Sequence, residues 1–180
     1  MENLSLEQLR YPIGIFSKPD EIKDDLLKSW IDDISELPTL LKESVEGLTE
    51  EQLELPYRPE GWTIRQVINH VADSHMNAYC RFKLALTEDS PTIRPYEEQF
   101  WAELEDGKNG PIEWSLTLLE VLHKRWIMML ESLTEEQFER IFIHPATMHA
   151  NSLRTVTGMY SWHGRHHTAH ITELRKRMEI

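Results

Sequence analysis

The stretch Thr63 to Glu88, TIRQVINHVADSHMNAYCRFKLALTE, decides the fold. Thr63 and Gln66 stand at the two ends of a capping box, in which each side chain satisfies the other residue's free backbone N–H. Ile64, Val67, Ile68, Val71, His75, Ala78, Tyr79, Phe82 and Leu86 then recur at the three- and four-residue spacing of one helical face. This predicts an amphipathic helix of about six turns at 3.6 residues per turn, ending near Glu88.

The same period appears on both sides of this stretch. A helix is expected to open at Pro19 and Asp20 and to carry Leu26/Leu27, Trp30, Ile34, Leu37, Leu41, Val45 and Leu48 inward, with a kink at Pro38 and a stop at Gly47. Another starts at Ile112 with Leu116, Leu119, Leu122, Trp126, Met129/Leu130 and Leu133 on its stripe. The last runs from about Ser152, a plausible cap, to Met178. The first ten residues read as a short helical arm, Tyr11-Pro12-Ile13-Gly14 as punctuation, and Tyr96 to Leu104 as a short helix. Pro56, Pro59 and Gly61 mark one loop, and Asp106-Gly107-Lys108-Asn109-Gly110-Pro111 another. The only β-rich run is Ile141-Phe142-Ile143, stopped by Pro145. The chain therefore reads as one all-α domain spanning residues 1–180, a four-helix bundle burying one stripe from each long helix.

A weak repeat accompanies this pattern. Leu48-Thr49-Glu50-Glu51-Gln52-Leu53-Glu54 returns as Leu133-Thr134-Glu135-Glu136-Gln137-Phe138-Glu139, each time between two long helices. Either the two halves are related helix pairs, or a good capping box has arisen twice.

Composition narrows the function classes. With 19 Lys+Arg against 31 Asp+Glu and a net charge of -12, the chain lacks the basic footprint of a nucleic-acid binder; its strongest basic run is Arg175 to Arg177. The longest apolar run, Trp126 to Leu130, falls far short of the ~20 residues that span a bilayer, and no basic, apolar signal sequence follows Met1. The single Cys80 excludes an intramolecular disulfide and a Cys-rich zinc site, which points to a cytoplasmic location.

Nine histidines remain to be explained, four of them between His163 and His170. His163 and His167, four apart on the last helix, lie one turn above the other and suit two ligands of one metal ion. His163, His167 and His170 continue the stripe of Val156, Met159/Tyr160, Leu174 and Met178, so they point into the bundle. Several adjacent buried imidazoles without an ion would each need a separate partner. A zincin is disfavoured, because Gly164 stands where its glutamate would follow the first histidine. A third ligand must come from elsewhere: His70, at the edge of the stripe of Thr63 to Glu88, and His75, at its centre, are equally available, while His123, His144 and His149 sit on a flank or in a loop.

Several segments resemble the YfiT-type proteins of the DinB/YfiT superfamily, a group of bacilli associated with metal-dependent hydrolysis. They are Tyr11-Pro12-Ile13-Gly14, Gly61-Trp62-Thr63-Ile64-Arg65-Gln66, His70-Val71-Ala72-Asp73-Ser74-His75-Met76-Asn77, Ile93-Arg94-Pro95-Tyr96, and Trp162-His163 through Ala169-His170-Ile171-Thr172-Glu173-Leu174. The resemblance covers nearly the whole chain. It implies an up-down-down-up four-helix bundle, a homodimer, and one divalent ion per subunit, zinc or nickel, held by His70, His163 and His167. Many relatives of that family carry Gln where this chain has His170, which leaves His170 as an extra ligand or an outer partner.

Three neutral imidazoles leave an ion its double charge and an open position. A water bound there would have its pKa lowered from about 15.7 towards 7, the basis of a hydrolase acting on a small molecule. The alternative is an S-transferase that passes a low-molecular-weight, bacillithiol-like thiol to an electrophile as its thiolate. A structural metal site is the third reading, with His170 as a fourth ligand. Asp73, Asn77 and Arg81 share a flank with His70, Arg81 being suited to a substrate carboxylate, and Tyr160 lies one turn before His163. Trp62 and Trp162 read as packing residues.

Overall fold

The computed structural model describes residues 4–146 and 148–180. In chain order its elements are α1 (Leu6–Arg10), α2 (Asp24–Val45), α3 (Glu50–Leu53), α4 (Ile64–Thr87), α5 (Glu98–Trp101), α6 (Glu105–Asn109), α7 (Ile112–Leu130), α8 (Glu135–Phe138), β1 (Ile141–His144), β2 (His149–Ser152) and α9 (Leu153–Met178). The four long helices are those expected, α2 starting at Asp24 rather than at Pro19. Of the helical arm expected over the first ten residues, Leu6–Arg10 form α1, and residues 1–3 lie outside the described residues. Capping boxes at Thr49, Thr63 and Thr134 open α3, α4 and α8, and Ser152 caps α9.

One expectation is corrected. Asp106 to Pro111 is not a plain loop, since Glu105–Asn109 form α6. Its two glycines read as breakers, but Gly107 is packed against backbone, where a Cβ would lie 2.7 Å from Trp101 O. The Asn69 amide donates to the carbonyls of Asp106 (3.1 Å) and Gly107 (2.9 Å), so a partner distant in sequence holds the turn. A short two-stranded sheet accompanies the helical bundle. Ile141–His144 pairs antiparallel with His149–Ser152, a polar segment with no strand-like alternation for sequence reasoning to find.

Contacts between side chains and helix ends give the bundle its direction. Arg154 at the start of α9 reaches Ile22 O just before α2 (3.5 Å), and Arg175 near its end donates to Ser44 O near the end of α2 (2.9 Å), so α2 and α9 are parallel. Arg65 donates to Gly110 O just before α7 (3.2 Å), and Ser115 of α7 donates to Asn69 (2.7 Å), so α4 and α7 are parallel too. The rings of His70 and His167 meet on α4 and α9, as do those of His75 and Tyr160, which makes those two helices antiparallel. The result is the up-down-down-up bundle, in which α2 packs on α7 and α9, and α4 packs on the same two. The apolar stripes form two clusters, one around Trp126, Phe82 and Trp30, the other around Leu41, Ile64 and Ile171.

The repeat extends beyond capping. Glu54 and Glu50 of the first copy both bind Arg65, each at 2.6 Å, and Glu139 (2.7 Å) and Glu135 of the second both bind Arg154. Each arginine is the second residue of its long helix. Structurally, the halves are equivalent at both helix entries.

The close approach of α2 and α9 depends on glycine. A Cβ on Gly158 would lie 2.6 to 2.8 Å from three atoms of the rigid Trp30 ring, and one on Gly164 would lie 2.6 Å from Leu37 Cδ2. Gly164 therefore faces α2, which leaves no room there for a zincin glutamate. Gly158→Ala is expected to destabilise the chain: overpacking costs about 1–3 kcal/mol, against about 1 kcal/mol gained in helix propensity. A fall of a few degrees in the thermal midpoint follows at about 2–4 °C per kcal/mol. An unchanged or raised midpoint would mean that Trp30 can give way.

A candidate histidine metal centre

One end of α4 and the middle of α9 face each other across the bundle, and each presents histidines to the other. The spacing of four on α9 brings His163 and His167 together at a ring-centroid distance of 4.5 Å, and α4 places His70 4.8 Å from His167 and 5.4 Å from His163. One nitrogen from each of the three lies within 4.8 Å of the others. Nitrogens sharing a tetrahedral ion at about 2.1 Å would be about 3.4 Å apart, so modest side-chain rotations close the triad on an ion.

The electrostatics suit a cation-binding site. Burial, with a smaller contribution from His170, pushes His70 down to about 4. His163 and His167 are held well below the ordinary imidazole value, again first by burial and then by neighbouring histidines. All three are neutral near pH 7, with lone pairs available. Nδ1 of His167 is buried and has no hydrogen-bond partner among the described residues, a cost that an ion or a water would relieve.

His170 does not join this triad. Its Nε2–H donates to Arg10 O (3.0 Å), and its ring stacks on Tyr57 at 3.9 Å. It belongs to a second group, His166, His167 and His170, which shares His167 with the first. Sequence reasoning passed over His166, although it and His170 form a second pair four residues apart, interleaved with the first. His166 stacks on Trp162, whose indole N–H donates to Gly14 O (3.1 Å). The Tyr11 to Gly14 turn thus covers this end of the cluster, and Trp162 is a tether as well as a packing residue.

The remaining candidates separate clearly. His75 is fully buried at 0% exposure and is no member of either triad, but its Nε2 lies 3.2 Å from His163 Nδ1. His123, expected on a helix flank, is 2% exposed, with Nε2 3.0 Å from His75 Nδ1. Its period on α7 was legible, but the packing of α4 and α2 over it was not. His144 and His149 face each other across the β1–β2 pair, away from the triad.

Of the α4 flank, Asp73 lines a cavity of about 160 Å³ with Asn69, Asp106 and Ser115, on the α6 side. Burial, and then Asp106, raises it to about 6. Asn77 is turned back on its own helix, donating to Asp73 O (2.9 Å). Arg81 has a buried Nε with no partner among the described residues, and its charge acts on the phenols of Tyr160 and Tyr96. Ser74, in line with His70 on α4 but given no role from the sequence, links that polar group to the triad, with Oγ 3.4 Å from His163 Nε2 and 3.5 Å from the Tyr160 hydroxyl.

Known proteins resemble the chain over most of its length. The sequence model of the DinB superfamily matches residues 34–171. A protein of Bacillus cereus (strain 03BB102) is 53% identical over 173 residues, which cover 96% of this chain and 99% of that protein. One of Bacillus thuringiensis subsp. konkukian (strain 97-27) matches with the same identity and coverage. Both names assign them, provisionally, as metal-dependent hydrolases. A solved structure, YfiT from Bacillus subtilis, matches with a TM-score of 0.93 and 49% identity over 96% of this chain and 98% of that one. It is described as a probable metal-dependent hydrolase with an unusual four-helix bundle topology.

Proposed function

Since the chain belongs to the DinB superfamily, we propose that it is a metal-dependent hydrolase of a small-molecule substrate, with one divalent ion, zinc or alternatively nickel, held by His70, His163 and His167. The observation that carries this reading is the convergence of three buried, neutral imidazoles from α4 and α9 on one point. Among the described residues no fourth histidine, cysteine or carboxylate joins that group. Three protein ligands are the pattern of a catalytic site, whereas a structural one is closed by four. His170, tied to Arg10 and Tyr57, supplies no fourth ligand.

An ion so held would supply an undiminished double charge, enough to lower the pKa of a water towards 7 or to hold a thiol as thiolate. The chain's own groups then do the rest. His70, His163 and His167 stay neutral and fix the ion's position. Arg81, whose buried Nε has no partner among the described residues and whose guanidinium also meets the Tyr160 phenol, is our candidate for an anionic group of the substrate, and Ser74 and Tyr160 offer hydroxyls beside His163. Asp73 opens into a different cavity and is not assigned as the base.

Cobalt substitution tests the reading. Purified protein should take up about one cobalt ion per chain, and that form should hydrolyse members of a panel of small esters and amides. It should give no charge-transfer band on titration with small thiols. A strong thiolate band with no hydrolysis would instead establish the S-transferase.

A further inference from the structure

Behind His163 lies a chain of buried imidazoles that starts at a helix irregularity. Pro38 is inside α2 and has no N–H, so the carbonyl four residues before it, that of Ile34, receives no helical hydrogen bond from that position. His123 Nδ1 lies 2.6 Å from Ile34 O. Beyond it, His123 Nε2 is 3.0 Å from His75 Nδ1, and His75 Nε2 is 3.2 Å from His163 Nδ1. His75 and His123 are 0% and 2% exposed, and among the described residues no acid or cation is hydrogen-bonded to either ring.

The polarity of this chain follows from its first member. A carbonyl oxygen only accepts, so His123 Nδ1 carries a proton. Burial holds His123 neutral, with a value pushed down to about 4, which leaves its Nε2 as a lone pair. That lone pair requires His75 Nδ1 to be the donor. Fully buried, and with only the His123 and His163 rings against its nitrogens among the described residues, His75 carries one proton and accepts at Nε2 from His163 Nδ1–H. His163 is left with its lone pair on Nε2.

The geometry points to a tautomer relay, Ile34 O, His123, His75 and His163, in which His75 and His123 are positioning residues that leave His163 with its lone pair on Nε2, the atom beside the Ser74 hydroxyl (3.4 Å), for a metal ion. It rests on the reading of His163 as a ligand, and it adds why this histidine meets the ion in one protonation form and one ring orientation. Neutral histidine in water prefers its proton on Nε2; the relay enforces the opposite form three times over. Outer partners that orient a ligating histidine in this way typically govern 10–100-fold in metal affinity.

The tautomers can be read without any metal. Long-range ¹H–¹⁵N correlation spectra of the metal-free full chain at pH 7.5 should show His123, His75 and His163 all protonated at Nδ1. A proton on Nε2 of His75 or His163 would overturn the relay. Zinc affinity supplies the second measurement. H75F fills the space but accepts no hydrogen bond, and is expected to weaken zinc binding by about 10–100-fold. H75Q should bind within a few-fold of wild type, because its amide oxygen can accept from His163 while its amide N–H donates to His123. A purely packing role predicts the reverse order, Phe tolerated and Gln harmful in an apolar core, and that order would also overturn the relay. H163A separates the two levels of inference. Unchanged zinc affinity in H163A would remove the ligand assignment itself, whereas loss in H163A with no loss in H75F would remove only the relay.

Discussion

Metal-free protein is expected to unfold on mild acidification, with a midpoint above about pH 5. His70 and His123 have values of about 4 in the folded chain, and His75, His163 and His167 are held well below the ordinary 6.5, all chiefly by burial. Once unfolded, each titrates near 6.5. Between that value and about pH 4 the unfolded chain binds more protons than the folded one, so stability falls as the pH falls. Each group contributes about 1.4 kcal/mol per pH unit at full slope. Five of them together reach about 7 kcal/mol per unit, against about 5–15 kcal/mol for the whole stability of a domain. His166, pushed down to about 3, and His170, to about 4, act in the same direction. Asp73 opposes them, since a carboxyl raised to about 6 takes up its proton more readily when folded, but it is a single, partly exposed group. Far-UV circular dichroism against pH in the presence of a chelator measures the midpoint. Retention of the native spectrum at pH 4 would overturn the expectation, because the folded imidazoles could not then be binding protons so much less readily than the unfolded ones. Saturating metal, binding only the folded chain, adds about 4 kcal/mol at a thousand times Kd and should move the midpoint down by roughly half a unit.

The second large effect is on the ion itself. His70→Ala, His163→Ala and His167→Ala should each lower zinc affinity by well over 100-fold, more than the roughly 10–100-fold that loss of an outer partner costs. Elemental analysis after gel filtration should find about one ion per wild-type chain and almost none in these three variants. His166→Ala and His170→Ala should retain the ion. This ordering discriminates between the two histidine groups, because His167 belongs to both while His70 and His163 belong only to one. An ion kept by His70→Ala and lost by His166→Ala would place it in the second group instead. Melting in the same chelator-treated buffer shows whether any loss reflects unfolding rather than a missing ligand.

Much of this was legible from one sequence. The stripes of α2, α4, α7 and α9, the caps at Thr49, Thr63, Thr134 and Ser152, and the spacing of His163 and His167 are local patterns, set by the 3.6-residue period and by hydrogen bonds within a few residues. The choice between His70 and His75 was not legible in the period. Both lie on inward-facing parts of α4, and only the depth and rotation of α9 against that helix decide which ring meets His167 and which lies behind His163. β2 and α6 were missed for a related reason, since their backbone groups are satisfied by Ile141–His144 and by Asn69, partners outside any local window.

By itself, then, the sequence determined four amphipathic helices, their entries, and a cluster of histidines on one inward face, because each of these depends on neighbours within a turn or two. Tertiary structure decided which of those histidines meet. Pro38 shows the division most clearly: its sequence signal was a kink, and it does leave the Ile34 carbonyl without the helical hydrogen bond that residue would normally provide. Only the packing of α7 against α2 brings His123 to that carbonyl, and only the packing of α4 and α9 extends the contact through His75 to His163. Periodicity fixes which face of a helix is buried. It carries no information about which atom of a neighbouring helix will lie within 3 Å, and a hydrogen bond is decided at that distance.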